Sequence, residues 1–292
     1  MSINTVYKNK IKVLKAEYVN LKNGKKQLLD ILDEAELAEN VYNSNAIENS
    51  TLTLLETEKL IMEMGIDRNV TPREIYEAVN LANVIKVKKE LVKQNHVSIE
   101  IILKLHKLLL TNIDNSIAGR FRQTGEYVRV GTYIAPPPEK VHELIEGINR
   151  EYYMDIESYF INKIARYHLD FELIHPFIDG NGRIGRVLLN YQLQELDLPR
   201  IIIRDKEKTI YYSGFNEYRL QKKYKTMSKV ISLALLESLH KRIAYLKGNT
   251  IIPLTEYINT NKLNPQSTFN KAKRQTIPAF REMGVWKISK EY

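Results

Sequence analysis

The chain has 292 residues, 43% hydrophobic and 27% charged, which excludes a disordered or fibrous protein and suggests, at ~150 residues per domain, about two domains. It has no cysteine, which excludes a disulfide scaffold, a thiol nucleophile, a zinc–thiolate site and a cysteine-ligated iron–sulfur cluster. Lys plus Arg is 44 against 35 for Asp plus Glu, a net charge of +9, and this balance admits an anionic partner (nucleotide, nucleic acid or acidic protein) without requiring one.

The N-terminal stretch MSINTVYKNKIKVLK has no apolar core of signal-peptide length. No run reaches the ~18 apolar residues of a membrane span. The expectation is a soluble cytoplasmic protein with no membrane partner. Only 12 Gly and 9 Pro occur, and they cluster, so the long stretches between them favour a mainly α fold.

In chain order, residues Lys26 to about Asn40 repeat apolar side chains at three and four, a helical period. Thr53–Met64 and Pro72 to about Val92 read as two more helices, the second with Thr71 as N-cap and Pro72 in its first turn. Ser98 opens another, through Ile101–Leu110. Gly119–Pro138 then changes character. Val128 and Val130 alternate with arginine, and Gly131–Thr132 sits at a turn position, so this segment is the one plausible β-hairpin. The prolines at 136 to 138 end it. Helices resume at Val141–Arg150 and Glu157–Leu173, and again at Met227–Leu246.

The chemistry concentrates in His175–Arg186, HPFIDGNGRIGR. Pro176 ends the preceding helix near His175. Asp179, Gly180, Asn181 and Gly182 form a turn-rich loop, and from Gly182 onward Ile184, Val187 and Leu188 share one helix face. A glycine-rich loop at a helix N-terminus offers unpaired N–H groups and a positive dipole end to an anion. Arg183 and Arg186, three apart, share a face and suit two phosphates of one nucleotide. Asp179 is a hard oxygen ligand of the kind Mg²⁺ uses beside phosphates. His175 is a general base for neutral pH. His168, seven residues earlier, reads as a core or supporting histidine rather than half of a metal pair. His96, His106, His142 and His240 have no assignable partner in the sequence.

This segment resembles the Fic motif H-x-F-x-[DE]-G-N-G-R-x-x-R, and each specified position is met. The resemblance spans roughly residues 30 to 225. It implies a mainly α Fic-type core and transfer of AMP from ATP to a Ser, Thr or Tyr hydroxyl of a target protein, with self-modification. Carried over, His175 is the base, Asp179 holds Mg²⁺, and Asn181 with the Gly180 and Gly182 backbone meets charged phosphoryl oxygens. Arg183 faces the β-phosphate, Arg186 the γ-phosphate, and Phe177 anchors the loop. Gly182 favours AMP transfer, since relatives with Lys there transfer phosphate. The hairpin, through Val128, Arg129, Val130, Gly131 and Thr132, is similar to the family's flap, which clamps an extended target segment by strand addition. Tyr212, beside Tyr211, falls where the family places an aromatic near adenine.

Ser44-Asn45-Ala46-Ile47-Glu48-Asn49 matches the family's inhibitory pattern [ST]-x-x-x-E-[GN]. The resemblance implies that Glu48 pairs with Arg186 in place of the γ-phosphate, and that Ser44 caps or braces its helix. Two alternatives stay open: removal of AMP or transfer of another nucleotide by the same site, and a DNA-binding regulator. Family members often pair, so a homodimer is expected.

Residues 254–288 read as a short helix, a turn at Asn264–Pro265, and a helix from Ser267 with Lys271, Lys273 and Arg274, followed by IPAFREMGVWKI with the only Trp. This resembles excisionase-type winged helix-turn-helix modules, for which DNA is a partner. The expected organisation is an N-terminal helical region with the inhibitory helix (1–95), a Fic core (96–226), a connecting helix (227–249) and a helix-turn-helix-like module (250–292).

Overall fold

The computed structural model describes residues 5–91 and 96–292. The expected helix end at Val92 and the first four residues of the N-terminal stretch lie outside them.

Within these limits the helices run α1 (Thr5–Lys22), α2 (Lys26–Ala35), α3 (Leu37–Ile47), α4 (Leu54–Ile61), α5 (Pro72–Leu91), α6 (Ile99–Leu110), α7 (Val141–Met154), α8 (Phe160–Ile174), α9 (Asn181–Glu195), α10 (Lys208–Gln221), α11 (Lys225–Leu246), α12 (Leu254–Thr260) and α13 (Pro265–Lys273). The strands are β1 (Arg129–Val130), β2 (Tyr133–Ile134), β3 (Ile251–Pro253), β4 (Phe280–Glu282) and β5 (Val285–Ser289). Local capping follows the sequence signals. Thr53 and Glu56 form a reciprocal capping box on α4, and Ser98 accepts from the Ile101 N–H to start α6. Thr71 Oγ1 accepts from the Glu74 N–H at 3.3 Å, starting α5.

One large core unites α1, α3 and α5 to α11, centred on side chains such as Leu81, Leu105, Phe171, Leu188 and Leu239. Helix α11 is buried nearly all round, with α1, α8 and α10 packed on it. It therefore carries buried charge that must be paired. Arg242 donates to Asp33 at 2.8 Å and to Glu36 at 2.7 Å, and Lys241 pairs with Glu36 at 3.0 Å. Glu36 is where the helix expected over Lys26–Asn40 divides into α2 and α3. Its carboxylate is committed to α11.

The C-terminal segment has its own small core of Leu254, Ile258, Ala272, Ile277, Ala279 and Ile288. Its antiparallel sheet has strand order β3-β5-β4. Two details correct the sequence reading. Residues 251–253 form an edge strand, where Pro253 is tolerated because no partner needs its missing N–H. Helix α13 starts at Pro265, not Ser267: Asn264 is the cap and accepts from the Ser267 N–H at 2.9 Å. The β4–β5 pair is a second hairpin beside the one expected.

Candidate active site

The motif folds as helix, loop, helix. α8 ends at Ile174, and His175 takes a left-handed backbone (φ 49°) that turns the chain sharply. Its Nδ1 lies 3.3 Å from the Glu172 carbonyl oxygen, which can only accept, so Nδ1 carries the proton and Nε2 keeps the lone pair. Burial lowers the His175 pKa to about 4 from its ordinary 6.5, so the ring is neutral at physiological pH.

The loop is fixed from within and from outside. Phe177 is fully buried and stacks on His106, with ring centroids 3.6 Å apart. His106 Nδ1 accepts from the Gly119 N–H, and its Nε2 lies 3.1 Å from the Asp179 carbonyl oxygen, so this histidine secures the loop. Asn181 directs its amide back onto Phe177, accepting from its N–H and donating to its carbonyl, both at 2.9 Å. The Asn181 side chain therefore holds the loop, and the backbone at the start of α9 faces the cavity. Gly180 has φ 82°, and a Cβ there would lie 3.0 Å from Leu109.

A cavity of about 490 Å³ is lined by Glu48, Arg73, Glu77, His175 and the Asp179–Arg183 loop, among others. Asp179 stands at its wall beside the motif loop, held by Arg183 at 3.0 Å and also by Arg73. Burial opposes its ionisation, but the two arginines outweigh it and keep its carboxyl below the usual range. The Arg183 side chain is 4% exposed; its Nη1 lies 3.2 Å from Glu77 Oε1, and its Nε has no hydrogen-bond partner. A buried donor of this kind facing a cavity is suited to a phosphate. Among the described residues no group of three or more metal-ligating side chains occurs. The Asp179 carboxylate beside the N-terminus of α9 fits Mg²⁺, which binds through one or two carboxylates plus phosphates.

Arg186 is buried against α3. Its Nε donates to Ser44 Oγ at 2.9 Å, and its Nη2 donates to the Ser44 carbonyl and to Glu48 Oε1, both at 2.8 Å. Burial would lower the Arg186 pKa, but Glu48 overrides this and raises it. Ser44 thus braces the arginine rather than capping its own helix, and Glu48 sits at the C-cap of α3. Gly182 makes room: a Cβ there would stand 2.2 Å from Glu48 Oε1.

A second cavity, about 300 Å³, is lined by Val130, Gly131, Thr132, Tyr133, Glu172, Tyr212, Phe215 and Arg219, among others. The β1–β2 hairpin pairs Arg129 with Ile134 and Val130 with Tyr133, and Val128 closes it by accepting from the Ala135 N–H. Tyr212 joins this hairpin at one apolar wall and donates its hydroxyl to the Ile47 carbonyl at 3.2 Å, touching the end of α3. His168 lies deeper, 2.7 Å from the Tyr211 hydroxyl, with a pKa lowered to about 3 by burial and then by Arg186. It belongs to the core beneath the site.

Three residues here had no signal in the sequence. Arg122 is buried and donates to the carbonyls of His175 at 2.8 Å, Glu126 at 3.0 Å and Pro136 at 2.9 Å, joining the hairpin base to the histidine turn. His106 does the same for the loop. Glu172 is partly buried, with Oε1 buried and without a hydrogen-bond partner and Oε2 4.0 Å from His175 Nδ1. Burial, then Glu48, raise its pKa to about 8. A Glu three residues before the histidine was visible, but its burial was not.

Part of the chain that holds this geometry resembles a known family. Residues 96–193 match the Fic/DOC family. Among curated proteins the chain is 26% identical over 248 residues to protein adenylyltransferase fic-1 of Caenorhabditis elegans, covering 83% of this chain and 45% of that protein. It is 29% identical over 221 residues to protein adenylyltransferase Fic of Nematostella vectensis, covering 74% of this chain and 50% of that protein. The chain thus spans about half the length of these relatives or less. Among solved structures, a Fic domain containing signaling protein from Bacteroides thetaiotaomicron VPI-5482 superposes with a TM-score of 0.73 at 23% identity, over 82% of this chain and 98% of that one. Fic-1 of C. elegans gives 0.71 at 23%, over 82% and 72%. These two likenesses bear on the fold alone. Among the described residues no helix is long and apolar enough to cross a membrane.

Proposed function

We propose that the chain is an ATP-dependent protein adenylyltransferase held inactive by Glu48. The observation that carries this reading is the Glu48–Arg186 pair, 2.8 Å apart, at the edge of a cavity that also holds His175, Asp179 and the start of α9. Curated relatives named protein adenylyltransferase support the reaction class.

In the proposed reaction a target Ser, Thr or Tyr segment lies along the β1–β2 hairpin, adding a strand to its exposed edge. His175 Nε2 takes the hydroxyl proton as the oxygen attacks the α-phosphorus of ATP. The bond from the α-phosphorus to the bridging oxygen breaks, and pyrophosphate leaves. Backbone N–H groups at the start of α9 and the Arg183 guanidinium face the charge that develops. Asp179 would hold Mg²⁺, which neutralises phosphate charge when bound. Tyr212 and Phe215 form an apolar wall suited to adenine. While Glu48 occupies Arg186, the γ-phosphate loses its partner and the α-phosphate is misaligned, and small misplacements cost large factors in rate.

The test uses α-labelled and γ-labelled ATP on wild type, Glu48→Gly and His175→Ala. The expected result is label from the α-phosphate on Glu48→Gly protein, weaker on wild type and absent when His175→Ala is added. Label from the γ-phosphate alone would overturn AMP transfer. Nucleotide binding without label would favour removal of AMP.

A second reading concerns residues 250–292 as a helix-turn-helix-like unit. Lys271, Lys273 and Arg274 are exposed along the end of α13, which supports contact with a phosphate backbone. A salt-dependent DNA gel shift, lost on replacing these three by Gln, is the expected result.

A further inference from the structure

The Asp179 carboxylate is doubly occupied before any ligand arrives. Arg183 takes one oxygen at 3.0 Å and Arg73 takes the other. The two arginines differ in freedom. The Arg183 side chain is 4% exposed, whereas that of Arg73 is 56% exposed, on the first turn of α5. Arg73 Nε also donates to Glu77 Oε1 at 3.1 Å, which keeps its guanidinium over the cavity. The cavity wall is otherwise acidic: Glu48, Glu74, Glu77 and Asp179 line it together with the cations Arg73 and Arg183, and Glu48 is already paired with Arg186. A polyphosphate entering without a metal would meet this acidic wall, and Arg73 is the charge that offsets it at the point where the metal would sit.

Resting on the reading of Asp179 as the metal-holding carboxylate, we infer that Arg73 stands in for the divalent cation: it neutralises Asp179 in the metal-free site and so permits nucleotide to bind there before metal. When metal takes the Asp179 oxygen, Arg73 is the partner released, because it is exposed and Arg183 is enclosed. Arg73 is therefore a positioning and charge-compensating residue for polyphosphate ligands. Its effect is conditional: it matters most when no divalent cation is present.

The experiment is calorimetric ATP binding, in the Glu48→Gly background to free Arg186, with EDTA and separately with excess Mg²⁺. Arg73→Gln is expected to weaken ATP binding about tenfold in EDTA and by less than about twofold in Mg²⁺, the size expected for one unscreened charge at a half-exposed wall. Arg73→Lys keeps the charge and should restore most of the EDTA affinity. Adding Asp179→Asn should abolish the EDTA effect of Arg73→Gln, since the charge to be compensated is gone. An equal loss in EDTA and Mg²⁺, or an unchanged loss in the Asp179→Asn background, overturns the inference. Failure of the underlying reading looks different: Asp179→Asn alone would then leave the Mg²⁺ dependence of ATP binding intact.

Discussion

Gly182 and Glu48 approach so closely that a methyl on the first would stand 2.2 Å from a carboxylate oxygen of the second. The glycine is thus as much part of the Glu48–Arg186 pairing as the two charged residues. Gly182→Ala should push the Glu48 carboxylate, the end of a flexible side chain, off Arg186. Self-labelling by α-labelled ATP should rise in the wild-type background. In the Glu48→Gly background the same substitution should give no rise. A rise in both would mean the added methyl acts on the nucleotide rather than on Glu48.

The pH dependence follows from His175. Its pKa is lowered to about 4 by burial, so the base is neutral and ready across the neutral range. Labelling by Glu48→Gly protein should stay level from about pH 8 to about pH 6 and decline only toward pH 4. An acid limb centred at 6.5 would falsify the buried, neutral histidine.

Glu172 gives a stability signature of opposite sign. Its folded pKa is raised to about 8 from 4.5. Between these values the unfolded chain has released the proton that the folded chain keeps, so stability falls as pH rises through this window. At ~1.4 kcal/mol per unit the whole window is worth at most a few kcal/mol. Glu172→Gln removes the ionisation and should flatten this slope in chemical denaturation, with its largest gain near pH 8. A slope equal to wild type would show that Glu172 is ionised in the fold.

Arg122→Ala should cost about 3 kcal/mol in denaturant unfolding, because it leaves several buried carbonyls without a donor. Arg122→Lys should recover only part of this, since one ammonium cannot span the carbonyls of His175, Glu126 and Pro136. Equal stability of all three proteins would remove Arg122 from the scaffold of the site.

What was legible in the sequence was local. The turn at His175, the glycine loop and the start of α9 lie within twelve residues, and their spacing carries their chemistry. The Ser44–Glu48 motif was legible as a pattern, although its partner Arg186 is 138 residues from Glu48. The supports were not legible, because each bridges distant segments. His106 reaches Asp179 across 73 positions and Arg122 reaches His175 across 53. Helix α1 escaped notice for a related reason: it is polar along most of its length and buries fully only Ile11 and Tyr18, against α11 more than 200 residues later. The break at Glu36 was hidden for the same cause, since the cations that hold its carboxylate belong to α11.

The charge network around α3 bears on how the C-terminal unit is to be studied. Glu39 sits on the helix that leads to Glu48 and accepts from the Gly284 N–H in the β4–β5 turn at 3.1 Å, while also pairing with Arg204. Glu237 joins Arg204 at 3.0 Å to Arg281 of β4 at 2.6 Å. Cutting the chain near residue 250 would strip both Glu39 and Glu237 of partners inside the protein and loosen the very helix that restrains Arg186. A shortened protein would then report altered catalysis whether or not the missing part ever touches a ligand, so the two halves are separable on paper but not by scissors.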